Sequence, residues 1–218
     1  MSDNLTILIA DDHPLFRNAL RQALEASYPN AKWLEAESAD SLQQTITEND
    51  LIDLVILDLE MPGSHGYSTL IHLRSHFPAI PVVVISAHED NETIAKAMHY
   101  GSCGFIPKSA SLDSLSTALE QVLLGEVWLP EGIKPSDLII DDNNCFGNKL
   151  ADLTPQQYKV LQMFGEGLLN KQIAYDLGVS EATIKAHATA IFRKLDVRNR
   201  TQAVIALQQL EISSLPIK

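Results

Sequence analysis

The stretch 53-DLVILDLEMP-62 decides the fold. Leu54, Val55, Ile56 and Leu57 form a short apolar run that ends in the carboxylate of Asp58. Its length and β-branched content suit a strand buried on both faces, which is the habit of parallel sheets. Pro62 and Gly63 then stop the strand and open a loop. Ligands of open parallel sheets bind outside the carboxyl ends of the strands, so Asp58 falls where chemistry is expected. Taken alone, an Asp there is equally well read as the cap of the next segment.

The segments on either side follow one pattern. Leu5–Ala10 (LTILIA) is an apolar strand that runs into Asp11, Asp12, His13 and Pro14. Pro14 suits the first turn of a helix reaching about Ala26, with Leu15, Phe16, Ala19, Leu20, Ala23 and Leu24 as its apolar face. Trp33–Glu37 reads as a strand, and Ser38–Thr47 as a helix capped by Ser38 or Asp40. Asp53–Leu57 is the third strand. Tyr67–Phe77 is a helix that Pro78 and Pro81 end. Pro81–Ser86 is a strand, Glu89–His99 a helix, and Gly101–Ile106 a strand that leads into Pro107 and Lys108. Ser111–Leu124 is a helix capped by Ser111 and stopped by Gly125. Strand and helix alternate throughout, which predicts a doubly wound α/β domain with a five-stranded parallel sheet.

That topology brings the strand ends together: Asp11 and Asp12 from the first, Asp58 from the third, Ser86 from the fourth and Lys108 from the fifth. Adjacent carboxylates repel unless a cation or solvent intervenes. The set suits Mg²⁺, a hard cation that keeps several waters and takes one or two carboxylates. An Asp carboxylate is a competent phosphoryl acceptor. Lys108 offers a point charge to a phosphoryl oxygen, and Ser86 offers a hydroxyl. His13 reads as an exposed residue at a helix start, and His65, His72, His76, His88 and His99 as surface residues.

The chain has 218 residues, 45% hydrophobic and 20% charged, a globular composition. Its apolar runs fall far short of the roughly 20 residues a spanning helix needs. The start MSDNLTILIA has no basic lead or cleavage site, so no signal peptide and no membrane association are expected. Cys103 and Cys145 have no metal-like spacing, which fits a reducing cytoplasm. The net charge of −12 conceals two halves. Residues 1–148 hold 7 Lys and Arg against 22 Asp and Glu, a balance of −15, while residues 149–218 hold 9 against 6, a balance of +3. Opposite signs suggest two jobs, with the second half a modest DNA reader.

The boundaries expected are 1–125, a linker at 126–149, and 150–218. In the linker Val127, Trp128 and Leu129 are set to pack on the preceding helix, while Pro130, Gly132 and Pro135 break regular structure and Cys145 is expected to be exposed. Beyond it Thr154 and Pro155 open a helix that Gly165 or Gly167 ends. Asn170–Leu177 is a second helix, Gly178 a turn, Ser180 the cap of a third helix to about Leu195, and Thr201–Leu210 a fourth. Ala174, Gly178 and Ile184 hold the spots where a helix-turn-helix needs a small residue, a turn and a core apolar residue.

Residues 5–125 resemble the receiver domain of two-component response regulators, in the Asp-Asp pair, the Asp before Met-Pro-Gly, the Ser and the Lys. The resemblance implies a flavodoxin-like fold with Asp58 as phosphoacceptor. Asp12, supported by Asp11, would hold Mg²⁺ with Asp58 and the backbone carbonyl of Glu60. Ser86 would move toward the phosphoryl group, and the rotamer of Phe105 would follow it. Position 105 is Phe where many receivers have Tyr, and Ser109 follows Lys108 where many have a cis Pro. The geometry of the Lys108–Ser109 bond stays open.

Residues 150–210 closely resemble the LuxR-type helix-turn-helix of the NarL/FixJ family, an all-α four-helix domain whose third helix enters the DNA major groove. By that resemblance Lys185, Ala186 and Thr189 face bases and phosphates. Lys171, Thr183, Arg193, Lys194, Arg198 and Arg200 are candidates for phosphate contact, and the last helix forms a homodimer contact on DNA. Gln157 stands where the family usually has Glu, at the expected cost of an internal ion pair. The whole implies a cytoplasmic, non-enzymatic regulator of transcription. A histidine kinase would phosphorylate Asp58, and a change over residues 86–124 would expose the recognition helix, drive dimerisation, or both. Three other readings are an autoinducer-binding regulator, against which the acidic crevice speaks, a receiver that acts by protein contacts alone, and an aspartyl phosphatase. The last wants Asp-x-Asp, where this chain has Asp58-Leu59-Glu60.

Overall fold

The computed structural model describes residues 5–49, 51–134, 138, 149–208 and 210. Strands β1 (Thr6–Ala10), β2 (Lys32–Ala36), β3 (Leu54–Asp58), β4 (Val82–Ser86) and β5 (Gly104–Pro107) form one sheet in the order β2-β1-β3-β4-β5. Every neighbouring pair is parallel. All residues of β1, β3 and β4 are buried, which is why they read as unbroken apolar runs. Asp58 pairs with Ile85, and Ser86 with Pro107. Asp11, Asp58, Ser86 and Lys108 therefore share one edge of the sheet.

Helices α1 (Pro14–Glu25) and α5 (Leu112–Leu123) cover one face, packing Leu20, Leu24, Leu115 and Leu119 onto Ile7, Ile9 and Ile56. Helices α2 (Ala39–Glu48), α3 (Ser68–His76) and α4 (Asn91–His99) cover the other, packing Leu42, Leu70 and Ile94 onto Leu8, Val55 and Val84. Ser38 caps α2 through a capping box, and Asp90 caps α4 by accepting the Thr93 N–H at 2.9 Å, so α4 starts later than expected. Likewise β5 starts at Gly104. Gly101 turns the chain at φ 91°, and the Ser102 hydroxyl bonds the carbonyls of Val82 and Gly104. The expected apolar face of α1 needs correction. Leu15 is 85% exposed and Ala19 is exposed, because the buried face is rotated away from them and runs through Arg17, Leu20 and Leu24.

The chain after α5 is partly annexed by the first half. Trp128 forms a parallel bridge with Gly104, and its carbonyl accepts the Phe105 N–H at 3.2 Å, so it extends the sheet edge as well as packing beside Val122. Val127 stays exposed. Pro135 and Cys145 lie outside the described residues.

In the second half α6 (Pro155–Gly165), α7 (Asn170–Asp176), α8 (Glu181–Leu195) and α9 (Arg200–Gln208) surround Leu161, Phe164, Ile173, Ile184, Ile191 and Ala203. Thr154 and Ser180 cap α6 and α8. Gly178 makes its turn at φ 64°, where a side chain would be strained. The two halves touch. Tyr158 of α6 donates to Ser68 Oγ at 2.9 Å, and its hydroxyl lies 3.3 Å from Thr69 Oγ1. The Tyr67 N–H donates to the Leu210 carbonyl at 3.1 Å, and Lys159 pairs with Asp40 at 2.9 Å. Gln162 donates to the Gly63 carbonyl. Among the described residues these contacts come from Asp40, the β3–α3 loop and α3.

Candidate functional site

At the carboxyl edge of the sheet Asp58 is only 1% exposed and Asp11 is fully buried. Lys108 reaches in from the end of β5. Its Nζ lies 2.9 Å from Asp58 Oδ2 and 2.6 Å from Asp11 Oδ2. Burial pushes the Asp58 carboxyl above its ordinary pKa, and the hydrogen bond and charge of Lys108 only partly offset this. Burial pulls Lys108 the other way, down, but the close carboxylates of Asp11 and Asp58 outweigh it and leave the ammonium above its usual value. Asp58 Oδ1 accepts the Glu60 N–H at 3.2 Å. Ser86 is buried, and its Oγ accepts the His88 N–H at 3.1 Å. The Ser86 carbonyl accepts the Lys108 N–H at 2.7 Å, which ties the lysine's backbone to the strand beside Asp58. The Lys108–Ser109 bond is trans. Phe105 is fully buried in the core beneath this edge.

Ligand atoms of Asp11, Asp12, His13 and Asp58 all lie within 4.8 Å of one another. Asp11 Oδ2 and Asp12 Oδ1 are buried without a well-directed hydrogen bond, and have only the close approach of Lys108 and of His13 Nδ1 (2.6 Å). Carboxylate oxygens concentrated and under-satisfied in this way fit a hard divalent cation. A cleft of about 800 Å³ lies at the opposite end of the sheet, lined by Tyr28, Arg74, Cys103 and Val127 among others. It is remote from these groups, so size does not locate the chemistry here.

The comparisons with known proteins agree with this geometry. Residues 7–120 match the family model for the response regulator receiver domain, and residues 151–207 match that for bacterial regulatory proteins of the luxR family. The glycerol metabolism activator of Pseudomonas putida is 41% identical over 214 residues, covering 95% of this chain and 97% of that one. The nitrate/nitrite response regulator NarL of Escherichia coli K12 is 30% identical over 209 residues, covering 95% and 96%.

The chain is a response regulator of the NarL/FixJ family.

Among solved structures it is similar to RcsB from Salmonella enterica serovar Typhimurium bound to a promoter in the presence of phosphomimetic BeF3−. The TM-score is 0.56 and the identity 27%, with 95% of this chain and 99% of that one covered. A receiver joined to a LuxR-type DNA-binding domain makes this response regulator a transcriptional one. No helix among the described residues is long and apolar enough to cross a membrane.

The residues expected at DNA divide into an exposed set and an anchored one. Lys185, Ala186 and Thr189 are exposed on α8, and Lys171, Arg193 and Arg198 are exposed as well. The outer face of the recognition helix is therefore already open, and the receiver does not cover it. Thr183 is half-buried and held at the α8 cap, its N–H donating to Ser180 Oγ at 3.1 Å. Lys194 and Arg200 are anchored inside the fold. Lys194 Nζ donates to Gln157 Oε1 at 2.7 Å and to the Asp152 carbonyl at 2.9 Å. The amide of Gln157 thus replaces the expected ion pair with a hydrogen bond. Arg200 donates to the Phe164 carbonyl at 3.1 Å and stacks on its ring at 4.4 Å.

Three residues of the response regulator escaped the sequence reading. His72 is buried, not on the surface. Its ring stacks on Tyr158 and on His76, and neither nitrogen has a hydrogen-bond partner among the described residues. Tyr67, also buried, donates from its hydroxyl to the Thr93 carbonyl in the first turn of α4, at 3.2 Å. Arg17 is buried beside the acidic pair. The position of Arg17 within an apolar helix face was a usable signal; nothing local marked the other two.

Proposed function

We propose that phosphorylation of Asp58 by a histidine kinase, in the cytoplasm, controls the association of this chain with promoter DNA. The observation that carries the reading is the buried Asp58 carboxylate held 2.9 Å from Lys108, beside Asp11 and Asp12. An Asp58 oxygen would attack the phosphorus of a phosphohistidine. The new P–O bond forms as the P–N bond breaks, and the donor imidazole leaves. Lys108 balances the charge gathered on the transferred group, and the Ser86 hydroxyl turns from its local bond to donate to a phosphoryl oxygen. Phe105 repacks behind it. Asp12, Asp11, Asp58 and the carbonyl of Glu60 would hold Mg²⁺, which when bound neutralises phosphoryl oxygens. The chain accepts one phosphoryl group and does not turn over as an enzyme.

The output step follows from what is covered by the seat, the surface of α3 and the β3–α3 loop on which the second half rests. Lys185, Ala186 and Thr189 are open in this arrangement, so uncovering them is not what phosphorylation has to do. The end of α9 is different. Leu210 is buried and bonded to Tyr67, while Ile205 remains exposed. Release from α3 would free α9 as a contact between two copies, and two copies would place paired recognition helices on half-sites. Backbone contacts by Lys171, Arg193 and Arg198 then set the register, and α8 reads the groove.

A second reading, DNA binding independent of phosphorylation, is favoured by the open face of α8. One experiment separates the two. Wild type and Asp58→Asn are treated with acetyl phosphate and Mg²⁺, and mass and promoter binding are followed together. Labelling of the wild type alone, with tighter binding and dimer formation, supports the switch. Labelling without a change in binding supports the second reading, and no labelling points to a donor-selective or phosphorylation-independent receiver.

A further inference from the structure

Arg17 is the one arginine in the buried polar set of the described residues, and its surroundings are specific. Its Nη1 donates to the backbone carbonyl of Asp11 at 2.5 Å, and its Nε donates to Glu35 Oε2 on β2 at 3.0 Å. Asp11 is thereby pinned from every side. Its N–H donates to the Ala36 carbonyl at 3.0 Å, its Oδ1 accepts the His13 N–H at 2.7 Å, and its Oδ2 faces Lys108. Arg17 supplies the remaining tie, on the carbonyl. That carbonyl shares a rigid plane with the N–H of Asp12, so holding it fixes where the Asp12 backbone, and hence its carboxylate, starts.

Burying a guanidinium is costly, and a well-packed apolar side chain of similar volume would join α1 to β2 at no such cost. Retaining an arginine needs the geometry only it provides: a planar fork that serves two acceptors at once. Electrostatics alone argues against it, since a bare cation beside a metal site weakens cation binding. Glu35 neutralises that charge and leaves the positional effect.

We infer that Arg17 is a positioning residue for the cation site, holding the Asp11–Asp12 peptide in the geometry that a divalent cation requires. The inference rests on the reading of Asp11, Asp12 and Asp58 as that site. Outer groups that orient metal ligands are worth roughly 10- to 100-fold in metal affinity.

The test is a calorimetric titration of the full chain with MgCl2, for wild type, Arg17→Gln, Arg17→Lys and Glu35→Gln, together with the Mg²⁺ dependence of labelling by acetyl phosphate. For Arg17→Gln the Mg²⁺ Kd rises roughly tenfold, and the Mg²⁺ concentration for half-maximal labelling rises by the same factor. The labelling rate at saturating Mg²⁺ stays within about twofold of wild type, since the acceptor and Lys108 are untouched. Arg17→Lys, unable to span both acceptors, falls between the two. Glu35→Gln keeps an acceptor but unmasks the charge, so it too raises the Kd. A Kd unchanged in Arg17→Gln while its melting temperature falls overturns the inference, because Arg17 would then only staple α1 to β2. If Arg17→Gln does not fold, unchanged Kd values in Arg17→Lys and Glu35→Gln overturn it equally. A wild type that takes up no Mg²⁺ removes the cation site first, and this inference with it.

Discussion

Tyr158 lays its ring on the imidazole of His72, with centroids 4.2 Å apart and planes 9° from parallel. The pair joins the DNA-binding half to the receiver, and both members are altered by the contact. Burial pushes the Tyr158 phenol up to about 12, with the hydroxyls of Ser68 and Thr69 pulling the other way. Burial, aided by His76, holds His72 down at about 3.

A histidine held neutral in the seat makes the seat acid-sensitive. The folded pKa lies below the free value of 6.5, so the contact is at full strength above 6.5 and weakens as pH falls toward about 3. The slope is about 1.4 kcal/mol per pH unit for the single proton. Small-angle scattering should show the two halves opening as pH falls from 6.5 toward 4, inside the window between the free and folded values of His72. His72→Phe, which stacks but does not titrate, should hold the halves together over that range. An identical pH response in the variant would remove His72 as the cause.

Asp58 behaves in the opposite sense to a surface carboxylate. Its pKa is raised, mainly by burial, so its charge costs stability once pH exceeds the raised value, and the cost vanishes below the free value of 3.8. Asp58→Asn should therefore melt higher than wild type at pH 7. The difference should shrink to nothing as pH falls toward 3.8. A lower melting temperature at pH 7 would mean that the bond to Lys108 outweighs desolvation.

Lys108 is the sole ammonium bonded to Asp11 and Asp58 among the described residues. Lys108→Ala leaves two buried carboxylates facing each other, a loss of roughly 3 kcal/mol of stability. Added Mg²⁺ should then raise the stability of the variant more than that of wild type, because ligand binding to the folded state counts as stability. Urea unfolding with and without millimolar Mg²⁺ reads both effects.

On the DNA side, Lys185→Ala should lower the slope of log affinity against log salt by about 1, as loss of one phosphate contact does. Arg200→Ala should leave that slope unchanged and lower the melting temperature instead, since Arg200 is bonded to Phe164. A reduced salt slope for Arg200→Ala would return it to the phosphate-contacting set.

The receiver topology and its acidic edge were legible because parallel strands buried on both faces leave long apolar runs, and Asp11, Asp58, Ser86 and Lys108 each stand at the end of one. The helix caps at Ser38, Thr154 and Ser180 were legible for a similar reason, being local side-chain-to-backbone bonds. The face of α1 was misread at Leu15 and Ala19, since periodicity was taken from apolar residues alone, whereas the buried face runs through Arg17, Leu20 and Leu24. The seat was not legible at all. His72 and Tyr158 are 86 positions apart and have no local signature of contact. Lys194 and Arg200 stood among the candidates for phosphate contact, some of them open to a structural role, and charge in a motif does not show which side chains are bonded within the fold.

Tyr67 gives the seat a mechanical character. Its N–H carries the Leu210 carbonyl, and its hydroxyl is moored to the Thr93 carbonyl of α4. Its backbone continues without interruption from Asp58 through the β3–α3 loop. The load thus hangs on the same length of peptide that bears the reacting group. Small travel at Asp58 or at the head of α4 would reach Leu210 through Tyr67 itself, by its backbone from one side and by its hydroxyl from the other.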